Sequence, residues 1–369
     1  MSRAAMRDAI VIGAGPAGGA AALLLARAGW NVTIIEQHRF PRDKVCGESL
    51  GAMGVEVLDR LGLLEPLLQR GAVWIRKANI YCTDGQSVNL DLPRAMLGIS
   101  RQLLDSFLLD EARKAGAIIR QPARCESIKS DARAASVAVR DLQTNSTETI
   151  HASYAFVADG KSALALGRPK STQLLGIKSH WTGYSGERDT IDLFGCDGCY
   201  GGFAPIEDGR WNSAYSISAA RLRQCGGDIE KLFEQMLREQ PRLRWKIAGA
   251  TRISPWIASP LPRFGVRPNW PPGVIPIGNA AAAVDPIGGE GMALGLRSAE
   301  LAAEAVMNGG RSFQAHGLRR QYQRIWRGPR IFCRIGALVA SSPRFGPACF
   351  SLLAGNEALI RGIFTAIGK

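Results

Sequence analysis

Residues 9–12 (Ala-Ile-Val-Ile) form an unbroken apolar run that stops at Gly13, the pattern of a strand buried on both faces and ended by a tight turn. Residues 16–28 are rich in Ala and Leu and stop at Gly29, which predicts a helix with a glycine stop. Val32 to Ile35 is a second buried run, closed by Glu36, so the opening reads as one βαβ unit. Residues 50–70 read as helical, and Val73 to Leu92 alternates about an Asp84-Gly85 turn, which predicts a hairpin. Gln102 to Ala115 is amphipathic and precedes Gly116; short strands follow to about Val157. Residues 174–264 are rich in aromatic and β-branched residues, with glycine clusters at 195–202 and one helix near 228–239. That stretch predicts a mostly antiparallel sheet inserted into the α/β core. Residues 274–277 return to a buried strand, followed by a glycine-rich loop and a helix near 291–308. There is no internal repeat and no low-complexity linker.

Composition narrows the class. Of 369 residues, 46% are apolar and 21% charged, so the chain is globular rather than disordered. No apolar run approaches the length of a spanning helix. The first strand begins near Asp8, which leaves no room for a signal peptide and makes the cytoplasm the expected location. Eight cysteines in such a chain imply no disulfide framework. The net charge of +14 is concentrated at the end: residues 311–369 hold ten basic residues and one acid, Glu357. Trp326, Phe332, Ile335, Leu338 and Phe345 interleave with those bases. This fits either a helical tail with a solvated basic face or peripheral contact with an anionic membrane from its inner face. Nucleic acid is not an expected partner, because no motif accompanies the charge.

Gly13-Ala14-Gly15-Pro16-Ala17-Gly18 has the G-x-G-x-x-G spacing between a predicted strand and helix. Gly13 permits the turn, Gly15 lets a pyrophosphate approach the backbone, and Gly18 lets helix and strand pack closely. Glu36, at the end of the second strand, is placed to accept adenosine ribose hydroxyls and disfavours a 2′-phosphate there. The motif alone does not separate FAD from NAD.

Two later segments point to FAD. Phe156-Val157-Ala158-Asp159-Gly160 resembles the Asp-Gly motif of flavoprotein hydroxylases with the glutathione-reductase-type FAD fold. Ile275-Pro276-Ile277-Gly278-Asn279-Ala280, then Asp285-Pro286-Ile287-Gly288-Gly289-Glu290-Gly291-Met292, resembles their Gly-Asp motif and flavin loop. Phe40-Pro41-Arg42-Asp43-Lys44-Val45-Cys46-Gly47-Glu48 and the Gly-Glu-Gly string are most similar to the geranylgeranyl-reductase-like branch, which is related to group A monooxygenases and flavin halogenases. The resemblance spans roughly residues 8–308. It implies an α/β fold: a Rossmann-like FAD domain, an inserted mostly antiparallel substrate sheet and a helical C-terminal tail. The boundaries it implies are FAD-binding 1–72, 101–172 and 271–310, a hairpin 73–100 and substrate domain 173–270, and basic helices 311–369. It assigns FAD contacts to Gly13, Gly15, Ala17, Gly18, Glu36, Gln37, Lys44, Cys46, Gly47, Arg101, Cys125, Asp159, Gly160, Gly278, Asn279, Pro286, Gly288, Gly289, Gly291 and Met292. Asn279 stands where the family usually has Asp; it keeps a carbonyl acceptor but drops the charge.

Three flavin reactions follow from the resemblance. The first choice is NAD(P)H-dependent hydroxylation of a lipophilic aromatic or polyketide-like compound. The alternative is reduction of isoprenoid or lipid double bonds; halogenation and non-catalytic flavin binding rank lower. Gly201 and Gly202 stand where halogenases carry bulk, so they leave either a roomier pocket or a tight sheet crossing. Candidates near the flavin are Cys46, Tyr200, Phe203 and Glu290, none with an assigned step. Cys196-Asp197-Gly198-Cys199 lacks a second pair at metal spacing, and His38, His151, His180 and His316 are scattered, so no metal site is expected. No second glycine motif appears, so NAD(P)H is expected to visit transiently or a redox partner to deliver electrons.

Overall fold

The computed structural model describes residues 8–82, 84–131, 134–160, 173–267, 270–309, 313–344, 346–354 and 362. Within the expected C-terminal helices, residues 311–312, 345, 355–361 and 363–369 lie outside the described residues. The chain opens with β1 (Asp8–Ile12), α1 (Pro16–Arg27), β2 (Asn31–Ile35), β3 (Ser49–Leu50), α2 (Ala52–Arg60) and α3 (Leu64–Leu68). A hairpin of β4 (Val73–Tyr81) and β5 (Ser87–Gly98) precedes α4 (Arg101–Lys114). Then come β6 (Ile118–Arg120), β7 (Ala123–Ser130), β8 (Ala135–Asp141), β9 (Thr147–Ala152) and β10 (Tyr154–Val157). The inserted region holds β11 (Leu174–Thr182), β12 (Thr190–Cys196), β13 (Cys199–Pro205), β14 (Trp211–Ser218), α5 (Ala219–Gln224), α6 (Ile229–Glu239) and α7 (Pro241–Lys246). Short strands β15 (Thr251–Arg252), β16 (Ile257–Pro260) and β17 (Gly265–Val266) lead back to β18 (Val274–Pro276) and β19 (Ala282–Ala283). The chain continues through α8 (Glu290–Gly309), α9 (Ala315–Ala340) and α10 (Gly346–Ala354).

The buried apolar runs become a five-stranded parallel sheet in the order β18-β10-β1-β2-β6. Its faces are covered by α1, α4 and α8 on one side and by the three-stranded β7-β8-β9 sheet on the other. Gly13, at φ +97°, makes the turn out of β1, and a side chain on Gly18 would overlap the Gly13 carbonyl. That contact is what lets α1 start directly above the strand end.

The second sheet runs β15-β11-β14-β13-β12-β4-β5-β3, so the hairpin and the inserted strands form one surface. It is not purely antiparallel, because β12 pairs parallel with β4. A buried carboxylate holds that junction: Asp192 accepts from Asn79 at 2.8 Å, from the Tyr184 hydroxyl at 2.6 Å and from Lys246 at 2.7 Å. Two short helices, α5 and α7, flank the expected one. Ser218 caps the first and Pro241 opens the second, signals too local for a periodicity argument over 11 or more residues.

Gly201 and Gly202 are required by sheet packing. A Cβ on Gly202 would overlap the Asp192 carbonyl oxygen on β12, and one on Gly201 the Ala214 carbonyl on β14. Gly202→Ala is therefore expected to cost about 2 kcal/mol, seen as a lower thermal midpoint. An unchanged midpoint would show that β12 and β13 have room to spare.

Candidate functional site

The ends of β1 and β10, the start of α4, the β18–α8 loop and the segment after β2 converge on one cleft. Thirteen residues expected to touch FAD line it: Gly15, Ala17, Lys44, Cys46, Gly47, Arg101, Gly160, Gly278, Asn279, Pro286, Gly289, Gly291 and Met292. The cleft has the features a dinucleotide needs. Gly15 is the N-cap of α1, so the first helical amides and the positive end of the dipole face the opening. The Arg101 guanidinium passes 3.4 Å from where a Gly15 side chain would begin. Burial works against the Arg101 charge, but Asp105, bonded at 2.8 and 2.6 Å, outweighs it and raises the pKa. Gly160, at φ +70°, brings the Asp-Gly turn within 3.1 Å of Lys44 Nζ, measured from the Cβ position it leaves empty. Nothing lies within 4 Å of the Cβ position of Gly291, so that backbone is open to a flat ring. These residues fit FAD.

Other expected contacts sit behind the wall. Gly13 and Gly18 shape the turn. Glu36 is buried beneath it, where its carboxylate accepts from the amides of Ala14 and His38, both at 2.8 Å. Asp159 stands in the turn that touches Gly13. Gln37 is exposed beside it. The Cys125 thiol does not reach the cleft; it is packed between the parallel sheet and β7-β8, and burial pushes it up to about 12. Gly288 faces a second cavity described below.

The candidates for chemistry divide sharply. Cys46 stays on the wall between the cleft and a cavity of about 620 Å³ under the large sheet, and its sulfur accepts from the Glu48 amide at 3.4 Å. Tyr200 also faces that cavity, but its hydroxyl donates to the buried carboxylate of Asp285, which lies 3.5 Å from Arg334 on α9. The pair clamps the flavin loop to α9. Phe203 is a core ring, fully buried and stacked on Tyr184 with centroids 4.2 Å apart. Its bulk supports the sheet rather than reaching the cleft. Glu290 is buried on the far side of the loop.

The residues missed by sequence reasoning form a buried ionic cluster under the cleft wall. Glu48, fully buried and at φ +55°, takes the Arg101 amide at 2.8 Å and Lys178 Nζ on one oxygen and His180 Nε2 at 2.7 Å on the other. Lys178 also donates to Asp43 at 2.9 Å. Asp43, Glu48 and His180 could in principle offer ligand atoms to a metal ion. The Lys178 ammonium bonds both carboxylates, however, and so supplies the positive charge itself. Burial pushes the Glu48 pKa up, but His180 and Lys178 outweigh it, and the net value lies below the ordinary 4.5. A signal did exist: Lys178 and His180 stand two apart in a predicted strand, hence on one face.

Residues 6–180 match the family described as FAD binding domain. The chain is 29% identical over 328 residues to a menaquinone reductase of Mycolicibacterium smegmatis, covering 82% of this chain and 77% of that protein. It is 26% identical to digeranylgeranylglycerophospholipid reductase 2 of Methanopyrus kandleri, covering 81% and 77%. A 2,4-dichlorophenol 6-monooxygenase of Delftia acidovorans matches at 27% over 42% of this chain and 30% of its own. Two solved structures share the fold. A flavin-dependent brominase superposes with TM-score 0.80 at 17% identity, covering 98% and 93%. A geranylgeranyl bacteriochlorophyll reductase-like protein from Thermoplasma acidophilum gives 0.79 at 16%, covering 99% and 96%.

Glu48→Gln leaves the Lys178 ammonium buried with half its compensation and is expected to cost about 3 kcal/mol or more. Thermal melting and FAD titration should register it together, because the 44–49 wall moves with the cluster. The depressed Glu48 pKa means that its stabilisation is complete above the unfolded value of 4.5 and is lost as pH falls through the lower folded value. The variant should therefore melt with a flatter acid limb than the wild type. Parallel acid limbs would show that Glu48 contributes no such linkage.

Proposed function

We propose that this chain, whose residues 6–180 match an FAD-binding domain, is an FAD-dependent oxidoreductase that reduces a carbon–carbon double bond in the isoprenoid chain of a lipid. The observation that carries this reading is the reach of the similarity. Proteins named as reductases of menaquinone and of digeranylgeranylglycerophospholipid align over about four-fifths of the chain, well beyond the FAD-binding half. The aromatic monooxygenase aligns over 42%. Hydroxylation, the first choice from sequence, becomes the second reading and rests on that shorter match.

FAD, when bound and reduced, supplies the hydride for such a reaction. The protein's own work is to hold and exclude. Gly15, Lys44, Arg101 and Gly160 suit the pyrophosphate end of the cleft. The adjoining cavity under the sheet is walled by Val45, Ile177, Ile191, Leu193, Leu261 and Ile287, which suits a hydrocarbon chain and keeps water out. Electrons reach the flavin either from transient NAD(P)H or from a redox partner.

An isoprenoid lipid resides in a membrane, and α9 has a face suited to one. Leu318, Tyr322, Trp326, Cys333 and Ala337 are buried against the body. The opposite side exposes Ile331, Ile335 and Leu338 among Arg320, Arg324, Arg327, Arg330 and Arg334. Apolar residues ringed by arginine suit an anionic lipid surface, on which the protein would lie peripherally. No helix among the described residues is long and apolar enough to cross a membrane.

Two measurements test this. FAD-loaded protein reduced anaerobically with dithionite, then given a polyprenyl quinone in detergent, should add two hydrogens to the side chain by mass spectrometry. A product carrying one added oxygen, formed only with NAD(P)H and air, would favour hydroxylation instead. On vesicles rich in phosphatidylglycerol the protein should float, and a combined Ile331→Glu, Ile335→Glu, Leu338→Glu variant should not. Flotation unaffected by the substitutions would remove α9 from the membrane contact.

A further inference from the structure

Behind the flavin loop lies a second pocket, bounded by the β4–β5 hairpin, β12, the start of α2 and the loop itself. Its walls are apolar: Leu92, Met96, Ile191, Leu193 and Ile287 contribute hydrocarbon. It shares Ser49, Ile191, Leu193 and Ile287 with the cavity under the sheet, so the two adjoin at the flavin end of the cleft.

Ser49, Arg94 and Glu290 are its polar lining residues, and Glu290 is the most deeply buried acid among them. Its side chain is 3% exposed, and its Oε2 atom has no hydrogen-bond partner. The carboxyl lies against Gly51, where any side chain would collide with it, so the backbone there leaves it room. Burial pushes the carboxyl up to about 8, although Arg94 pulls the other way. It is therefore mostly protonated at neutral pH and carries an O–H donor. A buried donor without a partner is destabilising, and a ligand oxygen would remove that cost.

We propose that this cavity is a ligand site in its own right, in which Glu290 hydrogen-bonds a carbonyl or hydroxyl oxygen on the ring of an otherwise hydrocarbon molecule. The ligand class rests on the reading above: the oxygen-bearing head of a prenylated lipid would sit here while its chain runs toward the flavin. Arg94 lines the same cavity and its guanidinium bonds Glu56. The deep polar contact is thus the Glu290 carboxyl.

The test uses FAD-loaded, oxidised protein and equilibrium dialysis with two probes, menadione and its oxygen-free counterpart methylnaphthalene. Glu290→Leu should weaken menadione about tenfold, the worth of one hydrogen bond, while methylnaphthalene binds as well or better. Glu290→Gln, whose amide can still donate, should hold menadione within about threefold of wild type. Leu92→Trp, which fills the cavity without touching the carboxyl, should exclude both probes. Equal menadione affinity in wild type and Glu290→Leu would overturn the proposal. Should Glu290→Leu fail to fold, undiminished menadione binding by Leu92→Trp would overturn it too. The two readings can fail separately. Glu290-dependent menadione binding without side-chain reduction would sink the proposed reaction and leave the site. Reduction without Glu290-dependent binding would do the reverse.

Discussion

The cleft depends on one buried carboxylate. Glu48 is fully buried in a left-handed backbone conformation, and its carboxylate reaches two distant elements of the chain. The Arg101 amide ties it to the start of α4, and Lys178 and His180 tie it to β11 of the large sheet. An unpaired charge in that position would cost several kcal/mol, so the loop has little freedom to choose another path. The consequence falls on its neighbours. Val45, Cys46, Gly47 and Ser49, held by that loop, form the wall between the dinucleotide cleft and the apolar cavity under the sheet.

The opposite wall is built differently, from backbone that lacks side chains. Gly278 donates its amide to Ser298 at 2.8 Å and turns the chain at φ +57°, and Gly289 turns it again at φ +69° with Met96 and Ser49 close by. Between them Asp285 is clasped by Tyr200 and faces Arg334, which locks the loop to both the sheet and α9. Cys333 is buried under the same junction, its thiol pushed up to about 12 by burial and by the nearby Glu290 and Asp285. One wall is thus fixed by charge and the other by close approach. A flat cofactor between them would meet two rigid surfaces, which suits chemistry that the cofactor itself performs.

The +14 charge divides along the same lines. Arg101 and Lys178 are buried and paired, and they act on the cleft and its wall. Arg320, Arg324, Arg327 and Arg330 of α9 are exposed, on a helix whose inner face buries Tyr322 and Trp326. The two expectations for the C-terminal region are therefore compatible: the helix packs on the body, and its outer face stays available to a surface.

Short-range signals in the sequence determined the dinucleotide half. The run Ala9–Ile12, the three glycines from Gly13 to Gly18, Glu36 and the loop 285–292 act through backbone conformation and local spacing, and a reader of the chain can see both. The hairpin about Asp84-Gly85 was legible for the same reason. The parallel pairing of β12 with β4, the helices α5 and α7, and the placement of Phe203 in the core were not. They follow from which surface each element finds after the chain has collapsed. The ionic cluster is the clearest case. Asp43, Glu48, Lys178 and His180 are ordinary polar residues up to 137 positions apart. Only tertiary structure removes the water between them, and burial turns their proximity into a constraint. Glu290 is its counterpart: the sequence placed it beside the flavin loop, and the fold alone decided that it would be buried in the lining of an apolar pocket with Oε2 unpartnered.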